Sequence, residues 1–587
     1  MTTLLLFSAA ALSAVTPLSL SEVYEPVVVG APPMYAGTDM CVMPNGAIRH
    51  YGSEMHNGKV TRVYAETLDG GLNWKTSRAE PKSAGALFKS PWSDMWIGFT
   101  NRDSMGNRER RVLVARSKKG PEDTSAEIVV LPHRDYACVR LIPLVSRKRW
   151  LATFVELTCM KDGGYGAATA YSDDDGKTWV FQDLKPVKDV RRRNPGSVRD
   201  HWFCSGTEPG IVEMKDGSIL MCLRTSGPHA VFVRSLDGGA TWSEPWVDER
   251  FWQANTRPEF LRLKDGRLIF VWNNTQLLPE VAPSLTPQGE RGVAGFTNRD
   301  ALHAAISDDD GKTWKGFREI ALSEHRNSSD WRELGNDDAQ EKDKSVHQTQ
   351  MIEVAEGKVL IAYGQNISTR RFALFDPDWL LEKERSDNFQ RGLKNISHHL
   401  YVRSASGGWR GWAGHCAWNR VPGAAMVLNP DIPYTARGDV LQLCRIKDPR
   451  LYSDRAGIVW NFPASKKGSV TVNARILGSG FKYTLSDHWI NPCDEVNPSL
   501  QPVSENMTSA DLPCRRPIVN HNDWYDVSIE WDCSKGEWRM LVNGKEYRKG
   551  ALKWVPKAGF SYIHLQTLAE GTDPEGTHFR IFTKKDL

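Results

Sequence analysis

No stretch of 18 consecutive apolar residues occurs anywhere in the 587-residue chain, so the sequence offers no helix able to span a bilayer. An excess of one charge is missing too. The 75 Lys+Arg stand against 71 Asp+Glu, a formal net charge of +4, which gives no global field to draw the chain onto nucleic acid or an anionic membrane. An anionic ligand has to be met by a local cluster of Arg or Lys. The ten cysteines contain no CxxC pair and no zinc-like spacing, which argues against a zinc site, and no cofactor is expected. Only Cys493 and Cys514, flanking a Pro- and Asn-rich loop, suggest a disulfide; most of the others lie in apolar runs and read as small buried hydrophobes. No positive charge precedes the first apolar run, Leu4 to Ala14, yet its small closing residues and Pro17 read as a secretory signal within residues 1–20. That predicts a secreted or periplasmic protein. With 25% charged and 40% hydrophobic residues the chain is neither disordered nor polytopic, and its length predicts roughly two to four domains.

What the chain has in quantity is tryptophan, 22 residues, together with 48 Gly and 32 Pro. Three stretches share the pattern S-x-D-x-G-x-T-W: Ser172 to Trp179, Ser235 to Trp242 and Ser307 to Trp314, with a weaker copy from Thr67 to Trp74. The pattern predicts a tight turn in which Asp and Ser/Thr bond the backbone, Gly takes the unusual dihedrals, and Trp folds back between neighbouring sheets. Asp173 and Asp175 do not make a calcium loop, because the first ligand position falls on Tyr171, and on Ile306 in the third copy. A second repeat, two apolar segments joined through Asp/Glu/Asn-Gly, occurs at Met43 to Ile48, Met214 to Ile219, Leu263 to Leu268 and Val354 to Val359. It reads as the hairpin between strands one and two of a unit, with the Trp box joining strands three and four. The long gap between the boxes ending at Trp74 and Trp179 hides a boxless unit near residues 85–132, and a last boxless unit runs from Val346 to about Trp379. Six four-stranded units predict an all-β chain built on a six-bladed β-propeller.

From Asn388 the boxes stop. Alternating segments at Gly457 to Phe462, Ser469 to Ala474 and Asp526 to Trp531 imply antiparallel strands, and Trp538 to Tyr547 contains an Asn-Gly hairpin. This region resembles the concanavalin/laminin-G-like β-sandwiches appended to many carbohydrate enzymes. A structural and a carbohydrate-binding role are both open for it. The expected organisation is a propeller over residues 25–385, a connector from Leu380 to Asn388, and a jelly-roll, lectin-like β-sandwich over 395–587.

The Trp boxes resemble the Asp-boxes, or BNR repeats, of the sialidase superfamily, and Gly206 to Arg224 followed by Val233 to Pro245 is similar to the central blade of exo-sialidases. The similarity extends over about residues 30–380. First strands of a propeller converge on its axis. Counting nine residues back from each hairpin glycine aligns Gly37, Glu208, Arg257 and Gln348, which predicts a polar mouth. The resemblance implies that Glu208 serves as a base toward a tyrosine nucleophile, and that Arg224 and Arg299 grip a substrate carboxylate. A guanidinium suits that task because two parallel bonds fix the plane of the anion.

The chain also departs from the family pattern. In the opening segment Met34 to Pro44 the family arginine falls on Ala36, leaving Asp39 as a candidate substrate contact there. The acid/base position falls on Met55, flanked by Glu54 and His56, either of which could transfer a proton. The nucleophile position holds His347 or Gln348 instead of tyrosine. Three functions stay open: an exo-acting glycoside hydrolase that removes a terminal acidic sugar, a polysaccharide lyase using His347 or His56 as base, and a non-catalytic sugar-binding propeller. In each case the expected partner is an anionic glycan or oligosaccharide.

Overall fold

The computed structural model describes residues 18–33, 35–80, 84–100, 111–156, 164–187, 203–225, 227–254, 256–275, 299, 301–323, 346–364, 370–402, 418–422, 424–428, 439–445, 457–490, 492, 498–512 and 524–587. Strands and short 3-10 turns are the regular elements among them, and no helix there is long and apolar enough to cross a membrane. The first 17 residues, where the secretory signal is expected, and both Cys493 and Cys514 lie outside the described residues.

Six antiparallel sheets follow one another along the chain, at 35–78, 88–134, 136–183, 203–252, 259–322 and 350–375; we number them blades 1 to 6. Blade 2 is the boxless unit expected near 85–132. Blade 4 gains a short parallel strand, Gly164–Tyr165, beside Phe203–Glu213. Blade 6 departs from the expectation that it completes itself by Trp379. It builds only Gln350–Glu353, Val359–Tyr363 and Arg371–Phe375, and its fourth strand is the chain's own Val27–Gly30, paired with Arg371–Phe375. Sharing one blade between the two ends of the propeller leaves no gap in the ring, the same edge-removing logic that closes a barrel.

Hairpins and boxes sit where the repeats place them, at the pole opposite the one where the first strands begin. In the box of blade 3, Ser172 Oγ donates to Asp174 Oδ1 (2.9 Å), Gly176 N donates to Ser172 Oγ (2.8 Å), and Thr178 N donates to Asp174 Oδ1 (2.9 Å). Trp179 Nε1 then closes on the Gly176 carbonyl at 3.1 Å. Blade 5 repeats this through Ser307, Asp309, Gly311, Thr313 and Trp314. Burial raises the Asp309 carboxyl, but the bonds from Thr313 and Ser307 outweigh it and hold the group down to about 2.

Beyond the propeller, two sheets stack over one apolar core, as a β-sandwich. The larger runs through Ala424–Leu428, Asp439–Arg445, Asp573–Asp586, Lys467–Ile476, Tyr525–Asp532, Glu537–Val542 and Lys545–Ala551. The smaller is Ile396–Ser397, Gly457–Ser465, Phe560–Thr567, Phe481–Ser486 and Val503–Met507. Trp460, Phe481 and Leu565 of the smaller sheet meet Val470, Val527 and Phe582 of the larger, all buried. The Asn-Gly hairpin is present, with both Asn543 (φ 48°) and Gly544 (φ 75°) in the left-handed region that its tight turn requires. The segment read as a connector is itself structured. Pro377–Leu381 packs Leu380 against blades 5 and 6, and Arg385–Asp387 already pairs with the last strand of the sandwich.

Propeller and sandwich share a packed boundary at blade 5. Ala301 is buried with Val459, Trp489 and Tyr562. Asn461 closes the seam, its Nδ2 donating to the Phe317 carbonyl (3.1 Å) and its Oδ1 accepting from Glu319 N (3.0 Å).

Candidate functional site

The pole where first strands begin is also where second strands end and third strands start. Three blades bring polar side chains together there, charged ones from blades 4 and 5. Glu208 interrupts the strand Phe203–Glu213: pairing with Ile219–Thr225 shifts register between Thr207 and Gly210, and Glu208 takes φ 43°. A bulge re-aims a side chain that regular pleating would direct elsewhere, and left-handed backbone at a non-glycine residue is strain of the kind that functional sites hold. Gln348, at the corresponding place before Gln350–Glu353, has φ 59°. The two bulged residues meet, Gln348 Nε2 lying 3.4 Å from Glu208 Oε1.

Glu208 Oε2 is ion-paired with Nη1 of Arg224, which is 6% exposed near the end of Ile219–Thr225. The arginine compensates the carboxylate's charge in a site where an isolated charge would be costly. From blade 5, Arg299 Nη1 lies 3.1 Å from His347 Nε2, and both side chains are buried. A guanidinium only donates, so His347 Nε2 is the acceptor and the ring is neutral with its proton on Nδ1. Glu208, Arg224 and Gln348 thus form one cluster, Arg299 and His347 a second. The adjacency of His347 and Gln348 joins them.

Other expected residues fall elsewhere. Arg257, expected to bind substrate, donates to the Val139 carbonyl at 2.7 Å and lies 3.8 Å from Glu259. Glu259 in turn is ion-paired with Arg140 of blade 3, so this Arg257 network ties blade 5 to blade 3 beneath blade 4. Glu54 ends up half-buried near the end of Ile48–His56, and among the described residues no hydrogen bond joins it to the Glu208 cluster. His56 closes that strand and Asp39 lies within Tyr35–Val42; the side chains of both lie outside the described residues. A cavity of roughly 730 Å³ occupies the axis toward the hairpin pole, lined among others by Val42, Arg140, Glu213, Glu259 and Arg262. Its lining does not include Glu208, Arg224 or His347, so it is separate from this site.

Two residues at the seam of blades 6 and 1 were not singled out by the sequence. Arg370 directs Nη1 at the Pro33 carbonyl (3.3 Å), beside the opening of blade 1 that lacks the family arginine, and burial lowers its guanidinium from the usual range. His50 is fully buried against Phe372, and desolvation, helped by Arg370, pushes it down to about 4. Neither lies in a box or at the aligned first-strand position. Only the closing of blade 6 by the chain's first strand brings them together.

Geometry limits the chemistry. Gln348 occupies the place beside Glu208 where a nucleophile was sought, and an amide forms no covalent glycosyl intermediate of the ordinary kind. Glu208, charge-compensated and hydrogen-bonded, can accept a proton or stabilise positive charge. Arg224 and Arg299 can hold an anion.

Residues 138–368 match a family described as the BNR repeat-like domain. No curated protein sequence matches this chain. Among solved structures it is similar to a protein of unknown function from Dyadobacter fermentans, at 16% identity and a TM-score of 0.37, covering 60% of this chain and 97% of the other. It is also similar to a Trypanosoma rangeli sialidase in complex with 2,3-difluorosialic acid, at 12% identity and a TM-score of 0.35, covering 97% and 96%. Residues 138–368 are thus similar to a BNR repeat-like domain, and they lie within a chain that carries four Trp boxes and six four-stranded blades.

Proposed function

We propose that this protein is an exo-acting glycoside hydrolase that removes a terminal acidic sugar from a glycan or polysaccharide. The observation carrying the reading is the ion-paired Glu208–Arg224 couple, touched by Gln348 and flanked by Arg299 with His347, at the pole of the propeller. Two arginines beside one carboxylate suit a sugar bearing its own carboxylate or sulfate. In the proposed step Glu208 takes a proton from water as the water oxygen bonds to the anomeric carbon. The glycosidic C–O bond breaks as Glu54 or His56, at the end of Ile48–His56, protonates the leaving oxygen. Gln348 orients Glu208 and takes no part in bond making. Asp39 is retained as a candidate contact from the opening strand of blade 1. The apolar run at 4–14 supports an exported enzyme as the setting we propose.

A panel of aryl α-sialosides, uronides and sulfated oligosaccharides tests this. Turnover that Glu208→Gln removes upholds it. Gln348 in the nucleophile's place favours one competing reading, a propeller that binds anionic glycans without cleaving them, and binding with no turnover would establish that instead. Unsaturated products absorbing in the ultraviolet would point to a lyase.

A further inference from the structure

The sandwich reaches the candidate site through a path of buried hydrogen bonds linked by adjacent residues. Tyr562, on the strand Phe560–Thr567, is 1% exposed, and its hydroxyl donates to Glu319 Oε1 at 2.6 Å. His303 Nε2 lies 2.5 Å from the same hydroxyl oxygen, while His303 Nδ1 accepts from Asn274 N at 3.0 Å. Each ring nitrogen therefore has a fixed role, Nδ1 accepting and Nε2–H donating, and burial pushes His303 down to about 3, which keeps the ring neutral. The sandwich grips Asn274 a second time: Asn274 Nδ2 donates to the Asp487 carbonyl and Trp489 N donates to the Asn274 carbonyl, each at 2.9 Å.

The next residue carries the path into the site. Asn273, wholly buried, directs its amide nitrogen at the Ala301 carbonyl (2.6 Å) and the Val346 carbonyl (3.3 Å). Val346 N donates to the Arg299 carbonyl at 2.7 Å. Val346 immediately precedes His347 and Gln348, and Arg299 is the residue whose guanidinium bonds His347. Ala301, whose carbonyl Asn273 holds, opens the third strand of blade 5, two residues past Arg299. A buried amide bridging two carbonyls leaves both short of a donor when it is removed, so it holds those backbones in one relative position.

We infer that the β-sandwich is a working part of the site, with Tyr562, His303 and Asn273 as positioning residues that set Arg299 and its partner His347. Its consequence for substrate rests on the hydrolase reading above: because Arg299 binds and does not react, disturbing the path weakens binding of the anionic end more than it slows bond cleavage. The coupling itself holds whatever the ligand.

The full-length protein tests this with Tyr562→Phe and Asn273→Ala, compared with Tyr483→Phe. Tyr483 donates its own buried hydroxyl to the Val470 carbonyl (3.0 Å) within the sandwich core, so its Phe variant makes the same chemical change away from the path. Amide hydrogen exchange over 346–353 is measured in the free protein, and KM and kcat with whichever glycoside of the panel is hydrolysed. Tyr562→Phe and Asn273→Ala are expected to speed exchange in 346–353 and raise KM about five- to tenfold, with kcat within about twofold, as loss of one buried hydrogen bond would. Tyr483→Phe should leave both unchanged. If Tyr562→Phe and Asn273→Ala match Tyr483→Phe in exchange and in KM, the sandwich is only a neighbour and the inference falls. Absence of turnover across the panel would sink the hydrolase reading, while the exchange comparison would still decide the coupling.

Discussion

The two poles of the propeller are made by the same six blades, yet they use polar side chains in opposite ways. At the box pole the Asp, Ser and Thr at the motif's fixed positions bond their own turn, as Asp174 does with Ser172 and Thr178, while the variable positions Asp175 and Asp310 reach Ser90 and Arg262. At the other pole Glu208, Arg224, Arg299, His347 and Gln348 bond across blades 4, 5 and 6. Repetition stabilises the first pole. The second is unique to each blade, and there Glu208, within a first strand, and Gln348, two residues before one, take left-handed backbone. The repeated turns and the candidate site thus lie at opposite ends of one propeller.

The sharpest way to break that division is Glu208→Gln. It should lower kcat/KM on a hydrolysed glycoside about a thousandfold, roughly 4 kcal/mol of transition-state stabilisation, and also lower the melting temperature, because it takes away the charge that compensates buried Arg224. A loss of stability with no fall in kcat/KM would show that the mouth is structural after all. Next in size, Gly239→Ala in the box of blade 4 should cost about 2–3 kcal/mol in chemical denaturation, because Gly239 has φ 88° and an added Cβ would lie 2.5 Å from Leu151 Cδ1. Asp237→Ala in the same box removes the acceptor for Thr241 N (2.8 Å) and Thr241 Oγ1 (2.6 Å), and should cost about 1–2 kcal/mol with KM and kcat unaltered. Lost activity in that variant would mean that the poles are coupled.

Mild acid offers a finer comparison. Burial depresses His50 to about 4 and His303 to about 3. Both stay neutral in the fold while the unfolded chain takes up protons near the ordinary histidine pKa of about 6.5. Their contribution is therefore complete above about pH 6.5 and is lost as the pH falls toward these depressed values. Melting temperature should drop between about pH 6.5 and 4, and His50→Gln should shrink that drop. An unchanged pH dependence in the variant would assign the acid lability to carboxylates such as Asp309, whose contribution is lost only as the pH falls from about 4 toward 2.

Much of the fold was legible because its signals are local. The fixed polar positions of a box or an Asp-Gly hairpin bond within their own turn, as Ser307 and Asp309 do, so Ser307 to Trp314 or Met214 to Ile219 announces a turn, and spacing then counts the blades. The unit without a box at 88–134 was found from a gap alone. The closure of blade 6 by Val27–Gly30 was not readable, since strand pairing between residues over 340 positions apart leaves no local pattern. At the site, the alignment of Glu208 with Gln348 proved spatial, whereas Arg257, aligned with them, donates to the Val139 carbonyl and lies near Glu259. Nothing in the neighbourhood of Arg257 in sequence distinguishes an arginine that faces a ligand from one that crosses to another blade. Asn273, His303 and Tyr562 carry no motif.

By itself, then, the sequence determined the repeating turns, the all-β character, the number of blades, and the kinds of side chain present at the start of each first strand, because those depend on contacts within a few residues. Tertiary structure decided which of these side chains meet: that Gln348 lies against Glu208, that Arg299 is held by His347, and that a sandwich tyrosine is hydrogen-bonded toward both. The physical reason is that a buried charged or polar group is stable only where a partner meets it, and these partners come from neighbouring strands and blades: Arg224 beside Glu208 within blade 4, and His347 of blade 6 against Arg299 of blade 5.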